Sequence, residues 1–166
     1  DRHGDMNGYI EAKRHIFDRQ TDDDIAIIGV DEPYSEAMCR EMIAAGLQRV
    51  IPISTTQVLE KGVFVREGVL HNRLLDSEVT VDIRDIKSLQ GAHNSQNAAA
   101  AYAVCFVRGI AHDAIIAGMR SFPGLAHRMQ WLGEVNGVQY VNDSKATNAD
   151  ATEKALKTYD KMHWII

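Results

Sequence analysis

Apolar and polar positions change their period several times along the chain, and each change marks an expected element. In MNGYIEAKRHIF, Tyr9, Ile10, Lys13, Ile16 and Phe17 recur at helical spacings behind Asp5, a residue suited to cap the first turn. Such a helix would turn an apolar side inward and carry Lys13 on it. Asp22–Asp24 make a polar turn, and Ile25–Val30 is then a continuous apolar strand. SEAMCREMIAAG predicts a helix with Ser35 near its start and Gly46 closing it, and QRVIPIST predicts a second buried strand. Strands linked through a helix argue for an α/β layer arrangement. Ile25–Val30 and Val50–Ile53 should be neighbours in one sheet, with a helix over Ala98–Arg108 packed on it.

From Val63 to Asp85 the strands shorten. GVFVREGVLHN holds a turn at Arg66-Glu67-Gly68 and EVTVDI alternates in period two, so an antiparallel subsheet is expected. GAHNSQNAAAAYAVCFVRG predicts an alanine-rich helix from near Asn94 to Gly109, and AHDAIIAGMRSF a shorter one stopped by Pro123. RMQWLGEVNGVQYVND reads as a hairpin about Asn136-Gly137, pairing Gln130–Glu134 with Val138–Val141. A helix over Ala149–Thr158 and a strand at MHWII come next. SFPGLAHR is the best boundary, dividing residues 1–124 from a second domain over 125–166. A final strand with nothing after it to pair with suggests that the second domain is cut short.

Composition narrows the class. The chain has 166 residues, 45% hydrophobic and 25% charged, which suits a folded domain and not a disordered segment. No apolar stretch approaches the ~20 residues that cross a bilayer, so no membrane is expected. The net charge is −5, with twelve acids against six Lys/Arg in residues 1–60 and eleven against twelve beyond. No basic stripe exists to neutralise a nucleic-acid backbone, so that partner is excluded, while a local anion site in the second part stays open. Cys39 and Cys105 lie in apolar helical contexts, as free thiols in a reducing, cytoplasmic setting.

Candidate chemistry gathers at four places. Asn142, Asp143, Ser144, Lys145, Thr147 and Asn148 crowd the passage from a strand to a helix. Unpaired N–H groups there favour an anion, and Lys145 adds a mobile charge; equally, the short polar side chains could simply cap the turn. In GAHNSQN, Asn94 and Asn97 share a helical face and could read a flat heteroaromatic edge, or Asn94 could only cap. Lys13 could snorkel along an apolar surface, or be a buried amine that is modified or paired with a metal or phosphate. Asp1-Arg2-His3 could edge a site, and His127-Arg128 after Pro123-Gly124 could bridge two domains through a phosphate. The chain contains no HExxH, CxxC, GxSxG or GxxxxGK[ST].

Together these stretches resemble one family. GAHNSQNAAAAYAV looks like the GxHNxxNxxAA motif of the ATP-dependent Mur ligases, and FPGLAHRMQ like their FxGLxHRxE. NDSKATNADATEKAL resembles the corresponding segment of the D-glutamate-adding member, and DRHGDMNGYIEAKRHIF resembles the stretch just after that member's metal-binding Asp-His pair. The order matches too, and the likeness spans essentially the whole chain. Two positions depart from it: Ala126 stands where proline is usual, and Gln130 where glutamate is usual.

The resemblance implies the later half of a P-loop-type central domain with a short antiparallel subsheet. The opening β-hairpin, helix and strand of a Rossmann-like C-terminal domain would come after it. It implies that Lys13 is carbamylated and binds Mg2+, that Asn94 and Asn97 surround adenine, and that His127 and Arg128 form the hinge pair at the ATP phosphates. Asp143, Lys145 and Thr147 would approach the nucleotide and acyl phosphate when the domains close. The implied reaction joins D-glutamate to UDP-N-acetylmuramoyl-L-alanine through an acyl phosphate in peptidoglycan precursor synthesis, in an enzyme expected to be monomeric. Lacking the P-loop, the chain alone should be inactive. Two alternatives are another Mur-type ligase, adding meso-diaminopimelate or acting on folate, and a non-catalytic interaction module with the acidic first part as its surface.

Overall fold

The computed structural model describes residues 4–159 and 161–165. The Asp1-Arg2-His3 expectation therefore lies outside the described residues, as does Ile166. Five strands make one sheet in the order β1 (Ile25–Gly29), β2 (Arg49–Ser54), β3 (Val63–Arg66), β4 (Val69–Asn72), β5 (Val79–Asp82). The first three run parallel and the last three antiparallel, so both halves of the sheet expectation hold. β1 alternates its burial: Ala26, Ile28 and Val30 meet Cys39 and Met42 of helix α2 (Pro33–Ala45), while Ile25 and Ile27 pack against the opposite cluster. An apolar strand covered on both faces is what a parallel sheet between helices requires.

Helix α3 (Ala92–Val107) covers that second face through Ala98, Ala99, Tyr102 and Ala103, in one cluster with Ile51, Ile53, Val63, Val65 and Leu70. The small residues bring the helix close to the sheet, and Tyr102 fills the remaining depth. Its hydroxyl meets His112 Nδ1 at 2.7 Å and accepts from Asn72 at 3.3 Å, so burial leaves no polar atom of this trio stranded. Helix α4 (His112–Ser121) adds Ile115 and Met119 to the cluster, and Phe122 turns extended ahead of Pro123. Leu70 is 0% exposed at the centre of this layer. Leu70→Ala should cost about 2–5 kcal/mol, a fall in Tm on the order of 10 °C in thermal unfolding. A shift of only a degree or two would mean the layer collapses around the gap.

Both predicted hairpins form. Glu67 and Gly68, and likewise Asn136 and Gly137, have positive φ, the backbone of a type I′ turn that matches strand twist. The second turn joins β6 (Gln130–Val135) to β7 (Val138–Asn142), with an irregular register between Trp131 and Gly133. Helix α5 spans Ala149–Leu156, shorter than expected.

Three expectations are corrected. The strand expected at MHWII does not form over its described part: Met162–Ile165 is exposed chain without strand pairing among the described residues, and a segment with no neighbouring strand has no ladder to join. Helix α3 starts two residues before Asn94, with Gly91 as its cap, so Asn94 is not the capping residue. Helix α1 (Met6–Arg14) forms behind its Asp5 cap, whose carboxylate accepts from Gly8 N at 2.8 Å, but it buries no residue. Only Phe17, beyond its end, packs on the α2 cluster, while Ile16 is 74% exposed. A helical period specifies a face, and burial of that face needs a surface to receive it. Both cysteines are free, Cys39 buried and Cys105 half-buried.

Candidate functional site

The segment after Pro123 is stitched to the polar turn after β7. Lys145 N donates to the His127 carbonyl and Met129 N to the Asp143 carboxylate, both at 2.9 Å. His127 N donates to Gln130 Oε1 at 3.0 Å. The Asn142 amide donates to His127 Nδ1 at 3.1 Å while its oxygen accepts from Ser144 N at 3.1 Å, which places a neutral ring's proton on Nε2. His127 and Met129 hold φ of 64° and 45°, unusual for side-chain-bearing residues, and these bonds hold them there. Gln130 thus supports the backbone at His127.

This stitching brings His127, Arg128, Asp143 and Lys145 together. The His127, Arg128, Lys145 and Thr147 side chains are exposed; Asp143 is half-buried. Tyr159 lies beside Asp143, and burial first, then that carboxylate, pushes its hydroxyl up from the usual range. The turn also caps: Asn148 is the N-cap of α5, accepting from Ala151 N at 2.9 Å, and Asn142 holds Ser144. Half of the polar crowd therefore shapes the backbone, and Lys145 and Thr147 are presented by it.

Asn94 and Asn97 sit on the first turns of α3 but have different surroundings. Asn94 is half-buried and donates to the Gln90 carbonyl at 3.0 Å; Asn97 is exposed. Gly91 starts the helix at φ 88°, and a Cβ there would lie 2.9 Å from Thr158 Oγ1, just beyond α5, and 3.1 Å from the His93 ring. The space over this glycine is thus filled by the chain itself. Lys87 Nζ lies 5.8 Å from the Trp131 ring centroid, a contact between the turn ahead of α3 and the hairpin. Lys13 stands apart. It is exposed on α1, on the α2 side of the sheet, with Nζ 5.3 Å from the Tyr9 ring centroid. Among the described residues, no group of three or more His, Cys, Asp or Glu is placed to hold a metal ion.

One constellation escaped the sequence reading. Asp31, just past β1, accepts from the hydroxyls of Ser54, Thr55 and Thr56, from Thr55 N at 2.9 Å, and from Gln96 Nε2 of α3 at 2.8 Å. Burial raises its pKa, but the hydrogen bonds from Ser54, Thr55 and Thr56 outweigh it and leave the carboxyl below its usual value. The signal was polar residues in VDE and ISTTQ directly after two apolar runs, at the carboxyl ends of parallel strands where α/β sheets place their sites.

Comparison with known proteins matches residues 1–105 to the Mur ligase middle domain. The chain is 48% identical over 166 residues to the UDP-N-acetylmuramoylalanine–D-glutamate ligase of Caulobacter vibrioides, covering 99% of this chain and 35% of that protein. It is 45% identical over 165 residues to the protein of the same name from Paramagnetospirillum magneticum, with the same coverage. The chain thus spans about a third of the length of the curated relatives it matches. Among solved structures, MurF from Acinetobacter baumannii superposes with a TM-score of 0.66 at 20% identity, over 94% of this chain and 33% of that one. At that identity the likeness speaks for the fold alone.

Proposed function

Because the chain belongs to the Mur ligase family, we propose that it forms part of a cytoplasmic ligase joining D-glutamate to UDP-N-acetylmuramoyl-L-alanine in peptidoglycan precursor synthesis. Residues 1–124 would be the later part of the central ATPase domain and residues 125–166 the opening of the C-terminal domain. The observation that carries this reading is the run of 41–48% identity, across 99% of the chain, to proteins named for that reaction. No helix among the described residues is long and apolar enough to cross a membrane.

The residues suit a nucleotide. Arg128 and Lys145 are exposed cations on two stitched segments, and Asn97 is an exposed amide at the start of α3. Cations and a planar amide are the donor set that a polyphosphate and a heteroaromatic base call for. ATP, when bound, supplies the phosphoryl group that activates the substrate carboxylate as an acyl phosphate. Arg128 and Lys145 offset charge on the phosphates, His127 and Gln130 hold the turn that aims them, and Asp143 with Met129 fixes the two segments together. Thr147 adds a hydroxyl donor at the same rim. The described residues do not by themselves form a magnesium site, since Lys13 unmodified is a cation and no ligand group surrounds it. Carbamylation would turn that cation into one carboxylate-like ligand.

The complete reading frame tests the proposal. With ATP and UDP-N-acetylmuramoyl-L-alanine, phosphate release should require D-glutamate and not respond to L-glutamate or meso-diaminopimelate. Release driven by meso-diaminopimelate would favour another Mur-type ligase. No ATP-dependent turnover would favour an interaction module. The chain alone is expected to be inactive, because no glycine-rich phosphate cradle of the GxxxxGK[ST] type occurs in it.

A further inference from the structure

The Asp31 constellation ties α3 to the paired ends of β1 and β2, which the start of α3 otherwise meets through apolar packing. Ser54 ends β2 and Thr55 and Thr56 come directly after it, Asp31 lies just past β1, and Gln96 is on the first turns of α3. Apolar packing through Ala98, Ala99 and Ala103 fixes how close α3 sits to the sheet, but small smooth residues resist sliding and rotation poorly. A directional bond at the helix start supplies what they lack. The Gln96 amide also packs closely over Gly29, where a Cβ would lie 3.1 Å from Nε2. Gln96 is flanked on the same turns by Asn94 and Asn97, and only Asn94 has a bond of its own, back to Gln90.

We infer that the Asp31–Gln96 bond is a positioning device for nucleotide recognition: it sets the axial and rotational place of the α3 start, and so aims Asn97 at the base. Asp31 touches no ligand in this role. Its oxygens are taken up by the hydroxyls of Ser54, Thr55 and Thr56, by Thr55 N and by Gln96, and it acts through the helix. The inference rests on the nucleotide reading proposed above.

The bond can be reversed, which gives the test. In Gln96→Glu, two carboxylates meet where a donor met an acceptor, and the link becomes repulsive. In the double variant Asp31→Asn with Gln96→Glu, an amide nitrogen at the Oδ2 place donates to the new carboxylate. It can also donate to Thr55 Oγ1, while the retained oxygen still accepts from Thr55 N, now 3.0 Å from Oδ1. In the full-length ligase, calorimetric titration should show Gln96→Glu weakening ATP binding on the order of tenfold. The double variant should return to within about threefold of wild type. Amide exchange over residues 92–97 should quicken in the single variant and slow again in the double. Gln96→Leu, which removes the donor without adding charge, covers the case of a single variant that fails to fold, and it should weaken ATP binding as well. Unchanged ATP affinity in Gln96→Glu and Gln96→Leu would overturn the inference. So would a double variant that regains its Tm but not its affinity, because the bond would then be structural only. A wild-type ligase that does not bind ATP would overturn the nucleotide reading and this inference together.

Discussion

Lys145→Ala in the full-length ligase is expected to lower kcat by roughly 100-fold or more, on the order of 3 kcal/mol of transition-state stabilisation, with a smaller change in KM for ATP. The reason lies in how the residue is built into the turn. Its backbone N–H donates to the His127 carbonyl at 2.9 Å, a bond that alanine keeps, while its side chain is exposed. Removing the ammonium therefore removes a charge and little else. Stability should move within ~0.5 kcal/mol, the usual range for an exposed site. A cation that meets developing charge on a transferring phosphoryl group stabilises the transition state more than the bound ground state. Steady-state kinetics on K145A would show this as a kcat effect. A rise in KM alone would assign Lys145 to uniform binding, and an unfolded variant would assign it to structure.

The features legible in the sequence were those that depend on neighbours along the chain. The β1 and β2 strands announce themselves as apolar runs. The two type I′ turns are written in Glu67-Gly68 and Asn136-Gly137, because positive φ selects its residues locally. The polar crowd at 142–148 was legible as a turn, and its division into capping residues and presented ones emerged only when Asn142 and Asn148 found backbone partners. Elements that need a distant partner were misread. The α1 period implied an inward face, but the described residues offer it only α2 and a shallow groove. MHWII has strand composition, and among the described residues no strand lies beside Met162–Ile165. The Asp31 constellation joins residues 23 to 65 positions apart, and no local pattern encodes which carboxylate will receive which hydroxyl. The stitching of His127 to Lys145 is of the same kind, although both motifs stood out separately.

Lys13→Ala in the full-length ligase is expected to reduce turnover as sharply, for a different physical reason. Among the described residues the fold does not depend on this side chain: α1 buries no residue, and the Lys13 ammonium lies over the exposed Tyr9 ring. Alanine is also the better helix former, so folding stability should change by a few tenths of a kcal/mol at most. The exposure of Lys13 leaves the amine open to carbon dioxide, which adds to the neutral form with loss of a proton, and the carbamate then persists where a cation such as Mg2+ holds it. Conversion of the amine to a carbamate replaces a cation by an anion at one point on α1, and alanine forfeits that anion. Short carboxylates such as acetate or formate should then restore part of the lost turnover to K13A by occupying the vacated place, and should do nothing for K145A, where a cation is missing. Rescue of K13A by short amines and not by carboxylates would mean that Lys13 works unmodified. Unchanged kinetics in K13A would leave Lys13 as a surface residue.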